Sequence, residues 1–232
     1  MAAFDNISVE KKDGIASLTV NRPKALNALN QATLGEIGAA LEDIRDDAGI
    51  SGLIVTGAGG KAFVAGADIT EIATISAVEA SAFTRRGQAV FDLLENLGKP
   101  SVAAVSGFAL GGGCELAMAC TLRLATESAR FGQPEVMLGV TPGFGGTQRL
   151  PRLVGKGRAL QMILTGEPID AQEAYRIGLV NEIVVAEKLL ERATAILRTS
   201  IFYSPGEDSG AEGGRNQRPE RLGTEPSLAS QP

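Results

Sequence analysis

The spacing of apolar positions changes several times along the chain, and each change predicts a different element. ISVEKKDGIASLTVNRP, beginning at Ile7, holds two short β-type runs around Lys12-Asp13-Gly14, a hairpin signal, and Pro23 stops the second run. From Asn30 to Ile44 the period lengthens: Leu34, Ile37, Leu41 and Ile44 fall at helical spacing, with Asn30 or Thr33 available as a cap. SGLIVTGAGG, at 51–60, reads as a buried strand running into a glycine turn. Helical periodicity resumes between Ser76 and Leu97, and Lys99-Pro100 ends it. PSVAAVSGFAL, at 100–110, reads as a second buried strand that runs into Gly111-Gly112-Gly113.

Beyond the glycines the pattern is less regular. Residues 129–142 read as irregular or weakly extended, PGFGGTQRLPRLVG at 142–155 as a glycine-punctuated loop, and 156–165 and 171–177 as short helices. Strand-then-helix alternation predicts an α/β architecture. After Arg198 the helix-like EKLLERATAILRT gives way to a segment rich in Gly, Pro, Ser and charge, so 1–198 is expected to form the domain and 199–232 a disordered tail.

Composition narrows the chemistry. Hydrophobic residues make up 44% of the 232, enough for a substantial core, and no apolar run reaches the roughly 20 residues of a bilayer span. The N-terminus has no secretory leader pattern, so a cytoplasmic setting is expected. A net charge of −5 with scattered basic residues argues against nucleic acid or an anionic membrane as partner. Cys114 and Cys120 lack a CxxC pattern and read as reduced core thiols. The chain has no histidine, which removes the usual general base, the Ser-His and Cys-His nucleophile pairs and most zinc sites. Any catalysis then falls to carboxylates and backbone amides.

ALGGGCEL, Ala109 to Leu116, concentrates both. A strand ending in glycines and opening a helix presents unpaired N–H groups at a positive dipole end, and glycine lets a ligand approach the backbone. Glu115 falls in the first helical turn, where the dipole suits a carboxylate; the apolar residues that follow imply burial, and a buried acid needs a partner or a task. Glu135, after Pro134, reads alone as a solvated loop acid and together with Glu115 as half of an acid/base pair. KAFVAGADI offers further amides at Gly66 to Asp68, with Asp68 alternatively a plain helix cap. Gly57-Ala58-Gly59-Gly60-Lys61-Ala62 fits a dinucleotide-loop spacing weakly, because FVAGAD breaks the helix that should follow. A paired-carboxylate glycosidase is disfavoured by the absence of Trp.

In combination, NRPKALNALN, VTGAGGKAFVAGADI, KPSVAAVSGFALGGGCELAMAC, ARFGQPEVMLGVTPGFGGTQRLPRLVG and AYRIGLVNEIV resemble the enoyl-CoA hydratase (crotonase) family, and more narrowly its short-chain enoyl-CoA hydratases and 3-hydroxybutyryl-CoA dehydratases. The resemblance runs to about residue 198. It implies a spiral of ββα repeats, a CoA thioester substrate, no cofactor beyond the CoA of the substrate, no metal, and a homotrimer or hexamer. It assigns catalysis to Glu115 and Glu135, an oxyanion hole to the amides of Ala67 and Gly112, and CoA or substrate contacts to Lys24, Ala25, Leu26, Ala65, Asp68, Ile69 and Thr70. The implied reaction is reversible hydration of a short-chain trans-2-enoyl-CoA, such as crotonyl-CoA, to the 3-hydroxyacyl-CoA. Enoyl-CoA isomerisation and inactive acyl-CoA binding are the alternatives. From Ser200 onward the sequence departs from the family pattern of terminal helices and looks truncated or replaced, which is expected to weaken the assembly.

Overall fold

The computed structural model describes residues 4–203. In chain order the first half comprises β1 (Ile7–Lys12), β2 (Ile15–Val20), α1 (Gln31–Asp46), β3 (Gly52–Gly57), β4 (Ala62–Val64), α2 (Ile69–Ile72) and α3 (Ala77–Glu95). The second half comprises β5 (Ser101–Val105), β6 (Phe108–Leu110), α4 (Gly112–Ala119), β7 (Leu122–Ala125), β8 (Arg130–Gly132), α5 (Gly146–Val154), α6 (Lys156–Thr165), β9 (Ile169–Asp170), α7 (Ala171–Arg176), β10 (Glu182–Ile183) and α8 (Leu189–Tyr203). The predicted hairpin forms around Asp13-Gly14, both at positive φ. Asn30 caps α1 by accepting from Thr33 N, and Ser76 opens α3 with a capping box completed by Glu79.

The strands form two sheets, one of order β1-β2-β3-β5-β7-β10 and one of order β4-β6-β8-β9. The pairs β3/β4, β5/β6 and β7/β8 each give their first strand to the larger sheet and their second to the smaller, and neighbouring pairs align in parallel. Repetition of this ββ step, with helices between successive pairs, winds the chain into the spiral of ββα units that the family resemblance implies.

Three stretches differ from the reading of the sequence. The run at 100–110 is two strands in different sheets, because the chain turns at Ser106-Gly107; Gly107 has φ +70°, and a β-carbon there would collide with the Lys61 carbonyl. The stretch 142–155 is helical over most of its length, as α5, despite its glycines and the internal Pro151. Residues 129–142 hold β8 and a 3₁₀ helix, Pro134–Leu138. The Gly57–Ala62 glycines join β3 to β4 with no helix after them, which removes the dinucleotide-loop reading. α8 continues past Arg198 to Tyr203, and the rest of the expected tail lies outside the described residues.

The middle of the larger sheet is covered on both faces, which is why β3 and β5 read as unbroken apolar runs while β1, at the edge, alternates. Leu53, Val55, Ala103, Val105 and Ala125 face the main core with α1, α3 and α4. Ile54, Val102, Ala104 and Leu124 point the other way, onto Leu189, Ala193 and Leu197 of α8. The last helix therefore closes the outer face. Leu197 is 1% exposed, so Leu197→Ala should lower unfolding free energy by about 2–5 kcal/mol in urea denaturation. Leu190→Ala, at a half-exposed position of the same helix, should stay within about 0.5 kcal/mol of the parent, and equal effects would contradict this assignment of faces.

Candidate active site

The three glycines at 111–113 sit where the end of β6 becomes α4. A β-carbon on Gly113 would collide with the Val64 carbonyl, one on Gly111 would lie 2.8 Å from Glu135 Oε1, and one on Gly112 would press on the Phe144 ring. The glycines thus let the start of α4 approach the β4 loop, the second acid and the 144 loop at once. Beside them, Leu29 N donates to Gly66 O and Asp68 N donates to Leu29 O, both at 2.8 Å. This is a parallel bridge, in which the intervening Ala67 turns its N–H away from Leu29. No backbone acceptor for the amides of Ala67 or Gly112 occurs among the described residues.

Glu115 is 1% exposed on a helix buried on every side. Its Oε1 accepts from Phe144 N at 2.8 Å and from Gly146 N at 2.7 Å. Burial pushes its pKa up to about 7, with Glu135 adding repulsion, while the two amides and Arg149 oppose the rise. Glu135 lies on the 3₁₀ helix and is also pushed up to about 7, chiefly by burial, with a backbone amide of its own in opposition. The solvated-loop reading of Glu135 is therefore replaced: the fold brings both acids into one protected site.

Two further residues complete it. Gln133 is fully buried, and with its amide nitrogen directed to the acid it donates to both carboxylate oxygens of Glu135 at 3.2 Å. Its position two residues ahead of Glu135 was the only signal. Arg149, read as part of a loop, is buried on α5 and donates to Phe144 O at 2.8 Å, to Glu95 at 2.8 Å and to Asp92 at 2.6 Å.

The remaining predicted residues lie along the neighbouring surface. Lys24 and Leu26 line a pocket of about 270 Å³ together with Lys61, which no sequence motif marks as a contact residue; Ala25 ends a short 3₁₀ helix, Pro23–Ala25. Ala65 is half-buried, and Ile69 and Thr70 are exposed. Asp68 caps α2, accepting from Thr70 N and Oγ1, and pairs with Arg22 at 3.0 Å; the Thr70 hydroxyl and then Arg22 hold its carboxyl below the usual range. Its side chain is thus engaged within the protein, as the plain-cap alternative requires. Both cysteines are buried free thiols, pushed up to about 12 by burial. Among the described residues no group of three or more His, Cys, Asp or Glu is arranged to hold a metal, and no helix is long and apolar enough to cross a membrane.

This arrangement can be set beside known proteins. Residues 10–205 match the family model described as enoyl-CoA hydratase/isomerase. The chain is 57% identical over 194 residues to a crotonyl-CoA hydratase of Syntrophomonas wolfei, spanning 84% of this chain and 75% of that protein. It is 52% identical over 202 residues to a short-chain-enoyl-CoA hydratase of Clostridium acetobutylicum, spanning 87% and 77%. Among solved structures, the enoyl-CoA hydratase of Bacillus anthracis superposes with a TM-score of 0.84 at 41% identity, over 87% of this chain and 78% of that one. Its sequence and its spiral agree, and the chain belongs to the enoyl-CoA hydratase/isomerase family.

Proposed function

We propose that this protein is an enoyl-CoA hydratase acting on short-chain trans-2-enoyl-CoA, crotonyl-CoA being the representative substrate. The observation that carries the reading is the pair of protected glutamates, one fixed by two backbone amides, beside a glycine-rich helix start with unpaired N–H groups. Names of relatives more than 50% identical support the same substrate class.

Water adds poorly to the Cβ of an unsaturated thioester without a base on the water and a partner for the oxygen that becomes negative. Glu115 fits the base. Two backbone donors and Arg149 favour its ionised form, whereas Glu135 has one backbone amide and the neutral Gln133. As the water oxygen bonds to Cβ, its proton passes to Glu115 and the π electrons move onto the thioester oxygen. The amides of Ala67 and Gly112 are assigned to that oxygen, each such donor typically contributing about 10²–10³ in rate. Glu135 then gives its proton to Cα, the carbonyl re-forms, and proton exchange resets the pair. The reverse sequence is dehydration. The Lys24–Lys61 pocket is assigned to the CoA moiety. The exposed apolar residues Val136, Met137, Leu138 and Val140 beside Glu135 are assigned to contacts in a trimer or hexamer.

Loss of enoyl absorbance from crotonyl-CoA should be rapid with the parent, and slower by about 10²–10⁴ with Glu115→Gln or Glu135→Gln. A parent without turnover, or variants with parental rates, would contradict the reading.

The same acids should lower stability. A carboxyl raised from 4.5 to about 7 makes the folded state bind more protons than the unfolded state between those values, so stability falls as pH rises through that window. Glu115→Gln is therefore expected to raise Tm at pH 8, by roughly 2–4 °C for each kcal/mol of relieved desolvation, and to lose that gain near pH 4.5. A lower Tm at pH 8 would mean that the ionised acid is well solvated in the fold.

A further inference from the structure

One side of α3 faces the 144 loop with residues at successive fourth positions. Phe83, Gly87, Phe91 and Glu95 form a stripe, and Asp92 adjoins its end. The Phe144 ring stands edge-on to Phe83 and Phe91, with centroids 5.3 and 5.5 Å away, and it fills the notch at Gly87, where a β-carbon would overlap it. At the other end Asp92 and Glu95 hold Arg149, whose Nη1 donates to the Phe144 carbonyl. Both the side chain and the carbonyl of Phe144 are thus tied to α3, directly or through Arg149. The atom left over is its N–H, which donates to Glu115 Oε1.

We propose that α3 is a positioning platform for the catalytic base: the Gly87 notch and the Asp92/Glu95–Arg149 clamp fix Phe144 so that its amide holds Glu115 in its working orientation. The inference rests on the hydratase reading for the role of Glu115, but the positioning itself is a property of the fold. None of Phe83, Gly87, Phe91, Asp92 or Glu95 is assigned a contact with substrate. The titratable and charged groups around Glu115 are Glu135 on the 3₁₀ helix, Arg149 on α5 and the Cys114 thiol on its own helix, with Asp92 and Glu95 behind Arg149. Changes at Gly87 alter none of these charges, and water admitted by a displaced ring would lower the Glu115 titration, so an upward shift would report loss of the amide.

The test uses Gly87→Ala, whose methyl must displace the ring, and Gly87→Ala/Phe144→Leu, in which a smaller side chain makes room for it. In full-length protein with ¹³C-labelled glutamate carboxyls, the Glu115 resonance is identified by its absence in Glu115→Gln and titrated. The parent midpoint should lie near 7, and Gly87→Ala should move it upward by about one unit, since a donor to the ionised form is lost. Crotonyl-CoA hydration by Gly87→Ala should lose about 10–100-fold in kcat, with KM changed less than about threefold. The double variant should recover both readouts toward the parent. An unchanged Glu115 titration in Gly87→Ala, or a double variant no better than the single one, would overturn the proposal. A parent that does not hydrate crotonyl-CoA would defeat the functional reading instead, and the carboxyl titration would still decide the positioning.

Discussion

Two backbone amides, from Phe144 and Gly146, meet a single carboxylate oxygen of Glu115 in the interior of the protein. An ionised carboxylate removed from water without partners is costly enough that it takes up a proton instead. Here the donors and the nearby Arg149 counter burial and the repulsion of Glu135, so the acid settles near neutrality. Most of the surrounding architecture can be understood as what makes that contact possible. The glycines at 111–113 allow α4 to come close, Arg149 and the aromatic cluster hold the 144 loop, and the small sheet carries β6 and β8 to the two acids.

The spiral explains how residues far apart in sequence meet. Ala67, Gly112 and Glu135 each follow a strand of the smaller sheet, β4, β6 and β8, and those strands are parallel neighbours. Structures at their ends are therefore stacked side by side, one turn of the spiral apart. A single repeated step thus sets an amide, a second amide with the first acid, and the second acid beside one another. In the proposed reaction these are the groups needed at the thioester oxygen, the water and Cα.

Much of this is legible in the sequence alone. The hairpin follows from its turn residues, α1 from period and cap, and α3 from period and the Lys99-Pro100 stop, because those signals are local and the packing agrees with them. The absence of histidine directed attention to the carboxylates, and GGGCEL supplied the helix start. What stayed hidden depends on contacts between distant segments. Ser106-Gly107 lies inside an apolar run, and only the division into two sheets makes it a corner. α5 was concealed by its own glycines and Pro151, although packing on α4 and the burial of Arg149 favour helix there. Glu135 looked solvated because nothing adjacent in sequence covers it. Gly87 and Arg149 act on residues of other elements, and no local pattern marks them; Gln133 is marked only by lying two residues ahead of Glu135.

The pH dependence of kcat/KM for crotonyl-CoA hydration reports on the two carboxyls at once, since one acid must be ionised while the other is protonated. A bell centred near neutrality is expected, with two macroscopic limbs belonging to the coupled pair. A profile flat through neutrality, with its only acid limb near the ordinary glutamate value of 4.5, would contradict the paired-acid mechanism, because the two carboxyls would then not be raised together by the site.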